Sequence, residues 1–355
     1  MLTARPDTQA DLLAAARSAF SGGYWETSYA AFSRAGAIGP LSVDDLDAMA
    51  AAAWRAGHGR EAMRVGELVY VRLTRTDPSS AATKAVELGS AWLSRGEVAV
   101  GHSWIRRARG LLAGAADSPV LVRLTYLETV YAVLTDDTDL AAERSAALRE
   151  VSARVPQSEP TFDLAGVLDE RRLAVLGQAL EGAHPRTAGK AYYHLGELRR
   201  RRGNVDGAMA AYARAQSLGV VPQPGEALLR SALGDVDTAW AEVRTALAGA
   251  AQGDRAALLH GAVEIALARG DLNSAEQYLR ELDAPDALLH AQLLTGRGRF
   301  GDALAVLRTA LREYRLRGSE REAAEAYRLM AAAHRGLGAD DLAAADEAAA
   351  RLHGG

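Results

Sequence analysis

The amino-acid sequence predicts an all-α protein, a solenoid of about eight to nine tandem helix pairs wound as a right-handed superhelix. Three observations predict it. Ala and Leu dominate, whereas Ile occurs only at Ile38, Ile105 and Ile265 and Phe four times; strands favour β-branched and aromatic residues, and Ala, Leu, Arg and Glu are strong helix formers. The chain holds 34 glycines, each costing about 1 kcal/mol inside a helix relative to Ala. They therefore belong at helix ends, in tight turns or where helices touch. Finally, one phrase recurs: Gly, any residue, a third that is mostly apolar, then a small residue three further on.

The phrase places the helices in order. It opens at Gly23 with Trp25 and Ser28, then at Gly57 with Ala62, and at Gly96 with Val98 and Gly101. Asp137 with Asp139 and Ala142 reads as a weaker copy. Gly203 with Val205 and Ala208 is the clearest. Gly234 with Val236 and Ala239, Gly270 with Leu272 and Ala275, Gly298 with Phe300 and Ala303, and Gly338 with Ala343 complete the series. Gly23, Gly57 and Gly96 are 34 and 39 residues apart, while 66 separate Asp137 from Gly203. A further helix pair is expected in that long step, with Thr161–Leu180 helix-like.

A spacing near 34 in a helix–turn–helix unit is that of the tetratricopeptide repeat. Its best copies are Tyr192, Leu195, Gly196, Gly203, Ala208, Tyr212 and Ala215, and Leu88, Gly89, Trp92, Gly96, Gly101, Ile105 and Ala108. Small residues let the two helices of a pair approach, and the aromatic or aliphatic residues fill the groove to the next pair. No pair buries its apolar stripe alone, so pairs stack. Pro156, Pro160 and Pro185 suggest an interruption, giving an N-terminal block 1–155, a linking segment 156–185 and a C-terminal block 186–355. Pro222 and Pro224 stop another helix.

Composition narrows the function. Lys plus Arg total 41 and Asp plus Glu 45, a net charge of −4, so there is no global reason to bind DNA or an anionic membrane. With no cysteine, disulfides, cysteine-bound zinc, iron–sulfur clusters and thiol catalysis are excluded. No apolar run reaches the ~18 residues of a membrane span, and no signal-peptide core follows Met1, so a cytoplasmic location is expected.

Candidate motifs mostly reduce to repeat grammar. Gly296-Arg297-Gly298-Arg299-Phe300-Gly301 matches the dinucleotide fingerprint in letters, but that motif needs a preceding strand, and here it spans a repeat turn. Arg199–Arg202 places cations where a helix C-terminus attracts them. The eight histidines form no helix-borne zinc pair; His194, His260 and His334 fall on first helices. Gly101-His102-Ser103-Trp104 lacks the closing Gly of a nucleophile elbow. Trp25 and Trp104 are read as core packing, with Trp54 and Trp92 near the inner face. No cofactor, metal or catalytic residue is expected.

Ala19–Trp25, Leu195–Gly203, Pro222–Arg230 and Val263–Asp271 carry a further likeness. In these phrases the chain resembles the helical-repeat region of actinobacterial LuxR-type transcriptional regulators, over roughly residues 12–115 and 186–350. The family's DNA-binding domain, opening on Leu-Thr-x-Arg-Glu, is not found before Gly355, so the resemblance implies a sensing or docking scaffold rather than a DNA reader.

First helices of such stacks line a groove that takes a partner helix or peptide. Counting within repeats gives the groove positions Asp44, Asp47 and Trp54; Thr83, Val86, Ser90 and Leu93; and Lys190, Tyr193, His194, Glu197, Arg200 and Arg201. The groove is acidic early and basic in the middle, which suits a protein segment. The leading reading is a non-enzymatic, regulatory scaffold binding a protein or peptide. A small-molecule effector sensor and, less favoured, an all-helical enzyme are the alternatives; a homodimer is left open.

Overall fold

The computed structural model describes residues 8–155, 167–251, 255–282 and 286–353. Among them there are nineteen α-helices and no strand. Eighteen of the helices form nine hairpins. The first four are α1 (Gln9–Ser21) with α2 (Trp25–Ile38), α3 (Val43–Arg55) with α4 (Gly59–Thr76), α5 (Pro78–Leu93) with α6 (Val98–Leu111), and α7 (Pro119–Leu134) with α8 (Thr138–Arg154). Among the described residues helix α9 (Glu170–Leu180) belongs to none of these nine hairpins, and it packs against α7 and α8. The remaining five are α10 (Pro185–Arg201) with α11 (Val205–Ser217), α12 (Gly225–Ala232) with α13 (Val236–Gly249), α14 (Arg255–Ala268) with α15 (Leu272–Arg280), α16 (Ala287–Gly296) with α17 (Phe300–Arg317), and α18 (Glu320–Gly336) with α19 (Asp340–His353).

One turn closes all nine hairpins. Its central residue is left-handed, with φ between 72° and 94° at Gly23, Gly57, Gly96, Gly203, Gly234, Gly270, Gly298 and Gly338. The next residue donates its N–H to the carbonyl five residues back, as Tyr24 does to Ala19, Asn204 to Arg199 and Ala339 to His334, at 2.8–3.0 Å throughout. This is the Schellman closure, which needs the left-handed residue. Five positions after each of these glycines the small residue is buried, as at Ser28, Ala208, Ala239, Ala275 and Ala303, all 0% exposed. Gly203→Ala should cost about 1–2 kcal/mol, because an L side chain is strained there; chemical denaturation against wild type measures it.

The fourth turn corrects the sequence reading by one residue. Asp136, not Asp137, is the left-handed residue, with φ 55°, and the small buried position is Ala141 rather than Ala142. Asp137 instead caps α8, accepting from Leu140 N at 3.0 Å. An acidic side chain tolerates this conformation better than most, and Arg172 Nη2 donates to Asp136 at 2.8 Å.

The described residues form two compact units, 1–195 with 217–220, and 196–216 with 221–355. The division lies within α10. Up to Leu195 that helix belongs to the first unit, where Tyr192 packs over Gly177 of α9 and donates to Glu181 at 2.7 Å. From Gly196 it belongs to the second, where Tyr212 of α11 lies over Gly196. The expected break at Pro156–Pro160 lies outside the described residues, as does the start of the expected helix at 161. Pro185 is the first residue of α10, a position where its missing N–H costs nothing.

In both units next-but-one contacts join first helices: α1 with α3 and α5 with α7 in the first unit, where α7 also meets α9, and α12 with α14, α14 with α16 and α16 with α18 in the second. First helices are thus the more closely spaced layer of each unit, the inner one. No helix among the described residues is long and apolar enough to cross a membrane.

Candidate partner-binding faces

In the first unit, α3 and α5 carry the predicted inner residues. Asp44 is exposed, and Trp54 is 46% exposed, a large apolar surface on a first helix. Asp47 is exposed but engaged: Lys84 of α5 reaches it and also Glu87, at 2.5 Å. Burial opposes the charge of Lys84, yet the two carboxylates outweigh it and raise its pKa above the ordinary lysine value. Lys84 therefore locks α3 to α5. Neighbouring Asp45 is buried, is held below the usual carboxylate range mainly by Arg17 of α1, and accepts from Arg17 Nε and Nη2 at 2.8 and 2.9 Å. Neither Lys84 nor Asp45 stood out in the sequence, because each owes its role to a residue on another helix.

Three predicted groove positions of α5 need correction. Ser90 is 7% exposed, and Val86 and Leu93 are fully buried. Helix α5 packs against α4, α6 and α7, so that little of its circumference is left open. Thr83 is half-buried, and its hydroxyl returns to the Ser79 carbonyl at 3.2 Å. On the first-unit part of α10, Lys190 is exposed, whereas Tyr193 and His194 are half-buried with ring centroids 5.6 Å apart.

In the second unit, Glu197 organises a fixed polar cluster. Arg200 Nε and Nη2 donate to its two oxygens at 3.1 and 2.9 Å, Tyr212 Oη donates to Oε1, and Arg201 stands 3.7 Å away. Burial opposes the Glu197 charge, but the bonds from Arg200 and Tyr212 overcome it and hold its pKa low. Burial likewise works against Arg200, and Glu197, aided by Glu264 of α14, more than offsets it. Gly225, the first residue of α12, lies against this cluster with no side chain to intrude. Pro224 in turn rests on Gly261 of α14, so the Pro-Gln-Pro-Gly phrase is a packing element. Of the predicted trio here, Arg201 reaches solvent, with its side chain 55% exposed; Arg200 and Glu197 are spent on each other.

His260 of α14 and Asp286 form a second polar pair at 3.7 Å. The other oxygen of Asp286 caps α16, accepting from Leu288 N and Leu289 N at 2.8 and 3.1 Å. The pair raises the His260 pKa and lowers that of Asp286. The histidine contribution to stability is complete below its unfolded value, near 6.5, and is lost as pH rises through the raised folded value. The Asp286 contribution is present above 3.8 and lost as pH falls through the lowered value. His260→Ala should therefore reduce the denaturation midpoint more at pH 6 than at pH 8.5, which chemical denaturation at the two pH values checks.

His334 does not line the inner face. It is 5% exposed and bonds Asp346 of α19 at 2.7 Å. Trp104 is 5% exposed and packs edge-on against Tyr70. Ser152 Oγ and His184 Nε2 are 2.8 Å apart, a contact invisible in sequence spacing; His184, only 6% exposed, is too enclosed to meet a substrate.

No protein-family model matches the chain, and no curated protein matches it. Among solved structures it is similar to the APC/C hetero-tetramer Cut9–Hcn1, at 13% identity over 98% of this chain and 87% of that one, with a TM-score of 0.44. It is also similar to the apo form of RapI, at 11% identity over 98% and 97%, with a TM-score of 0.39. Ton1535 from Thermococcus onnurineus NA1 follows at 13% identity over 96% and 98%, with a TM-score of 0.30.

Proposed function

We propose that the chain is a non-enzymatic helical-repeat scaffold whose inner layer binds a helix or extended segment of a partner protein. The observation that carries this reading is the second unit's inner face, where Glu197, Arg200 and Tyr212 form a preorganised carboxylate–guanidinium–phenol cluster with Arg201 exposed at its edge, and where Glu264 of α14, also exposed, acts on Arg200. Fixed charges of both signs, already paid for in the free protein, favour a peptide chain bearing both signs over a phosphate polymer. In the first unit, Asp44 and the open ring of Trp54 offer a separate contact of the same kind. A regulatory role, including response to a small effector, is suggested by the resemblance to LuxR-type repeat regions.

Two variants test the binding role: Arg201→Gln, which removes the exposed charge without setting a second carboxylate beside Glu197, and Trp54→Ala, at an exposed position. Partners captured by cross-linking with wild type should be reduced at least tenfold with one variant or the other, with unchanged thermal unfolding. Full capture by both would overturn the reading. Stabilisation of the isolated protein by a small metabolite would instead favour the effector role.

A further inference from the structure

The second-helix layer of the first unit has a different character from its inner layer. Of its four second helices, α2, α4 and α6 hold eight arginines against three glutamates, Glu26, Glu61 and Glu67, whereas α8 is balanced, with three arginines and three acidic residues. Along α4 the charges and apolar residues are ordered. Arg60, Arg64, Leu68, Val71 and Arg75 recur at intervals of three and four, so at 100° per residue they fall within one 80° arc. All five are exposed, Leu68 by 38% and Val71 by 51%.

Apart from Arg64, which bonds Glu61, this stripe is not used internally. Arg72, the remaining arginine of α4, points elsewhere and donates to the Leu41 carbonyl at 2.7 Å. Arg60 and Arg75 make no ion pair among the described residues. Arg60 also sits in the first turn of α4, where the helix dipole disfavours a cation. On α6, Arg107 lies over the Trp104 ring, which stands at right angles to that of Tyr70 of α4.

We propose that this outward face of α4 docks an acidic amphipathic helix of a partner protein. The occupant is specified by complementarity. Carboxylates are needed opposite Arg60 and Arg75, 15 residues or about 22 Å apart at 1.5 Å per residue, with aliphatic side chains between them against Leu68 and Val71. Helix pairing of this kind uses apolar anchors for affinity and the flanking charges for register and direction. The site is on the opposite layer from the inner face and does not depend on that face binding anything.

The test uses the full chain and a fluorescent synthetic 18-residue helix with Leu at its centre and Glu at both ends. A counterpart carrying Lys in place of Glu, and vesicles of phosphatidylserine and phosphatidylcholine, complete the set. Wild type should bind the Glu peptide at least tenfold more tightly than the Lys peptide, and less tightly as salt rises. The double variant Arg60→Glu/Arg75→Glu should reverse the preference, and Leu68→Ser/Val71→Ser should weaken both peptides. Arg60→Gln/Arg75→Gln, a milder change, should abolish the preference if charge reversal unfolds the protein. Arg201→Gln should leave this binding unchanged, separating it from the inner face. Equal affinity for the two peptides, an unaltered preference in the arginine variants, or binding of vesicles without the Glu peptide would each overturn the proposal.

Discussion

Gly225→Ala is expected to destabilise the second unit by about 2–4 kcal/mol. A Cβ there would lie inside contact distance of the Glu197 carboxylate and 2.7 Å from Tyr212 Oη. Overpacking a core costs about 1–3 kcal/mol, and here the displaced groups are hydrogen-bonded, so their loss adds to it. Reduced helix-forming cost of Ala over Gly, below 1 kcal/mol, does not offset this. Urea denaturation gives the change. A Tyr212→Phe background should reduce the penalty, because the hydroxyl that must move is gone; an undiminished penalty would place the strain elsewhere.

The second large effect is at Glu197. Glu197→Gln keeps the shape but leaves Arg200, only 22% exposed at its side chain, facing a neutral amide. About 2 kcal/mol should be lost, near the low end for breaking a buried pair because solvent still reaches the guanidinium. Because the folded pKa of Glu197 is depressed, its contribution exists above the unfolded carboxylate value and disappears as pH falls through the folded value. The stability of wild type and variant should converge toward pH 3, and a constant difference across pH 3 to 7 would contradict the assignment. Glu197→Gln and Tyr212→Phe should combine to less than the sum of their separate effects, since they share one bond.

The repeat turns were legible in the sequence because their requirement is local. A left-handed residue and a buried small residue five positions on are both properties of one short stretch of chain, and glycine meets the first with little steric cost. Asp136 shows the limit: once glycine is absent the left-handed position has no letter of its own, and the register slipped by one. The inner-face residues were only partly legible. Helical phase marks one side of a helix, and Asp44, Trp54 and Arg201, marked in that way, are exposed. It failed at Ser90, Val86 and Leu93, where three neighbours enclose α5.

The amino-acid order by itself determined the helical class and the glycine turns that pair successive helices, since backbone sterics and a 3.6-residue apolar period act within some forty residues. Only the tertiary structure decided which charges are available to a partner. Lys84 and Asp47, Arg200 and Glu197, and His260 and Asp286 engage one another, while Arg60, Arg75 and Arg201 are exposed. Whether a carboxylate meets a guanidinium depends on distances of a few ångströms between helices, which packing fixes and linear spacing does not encode.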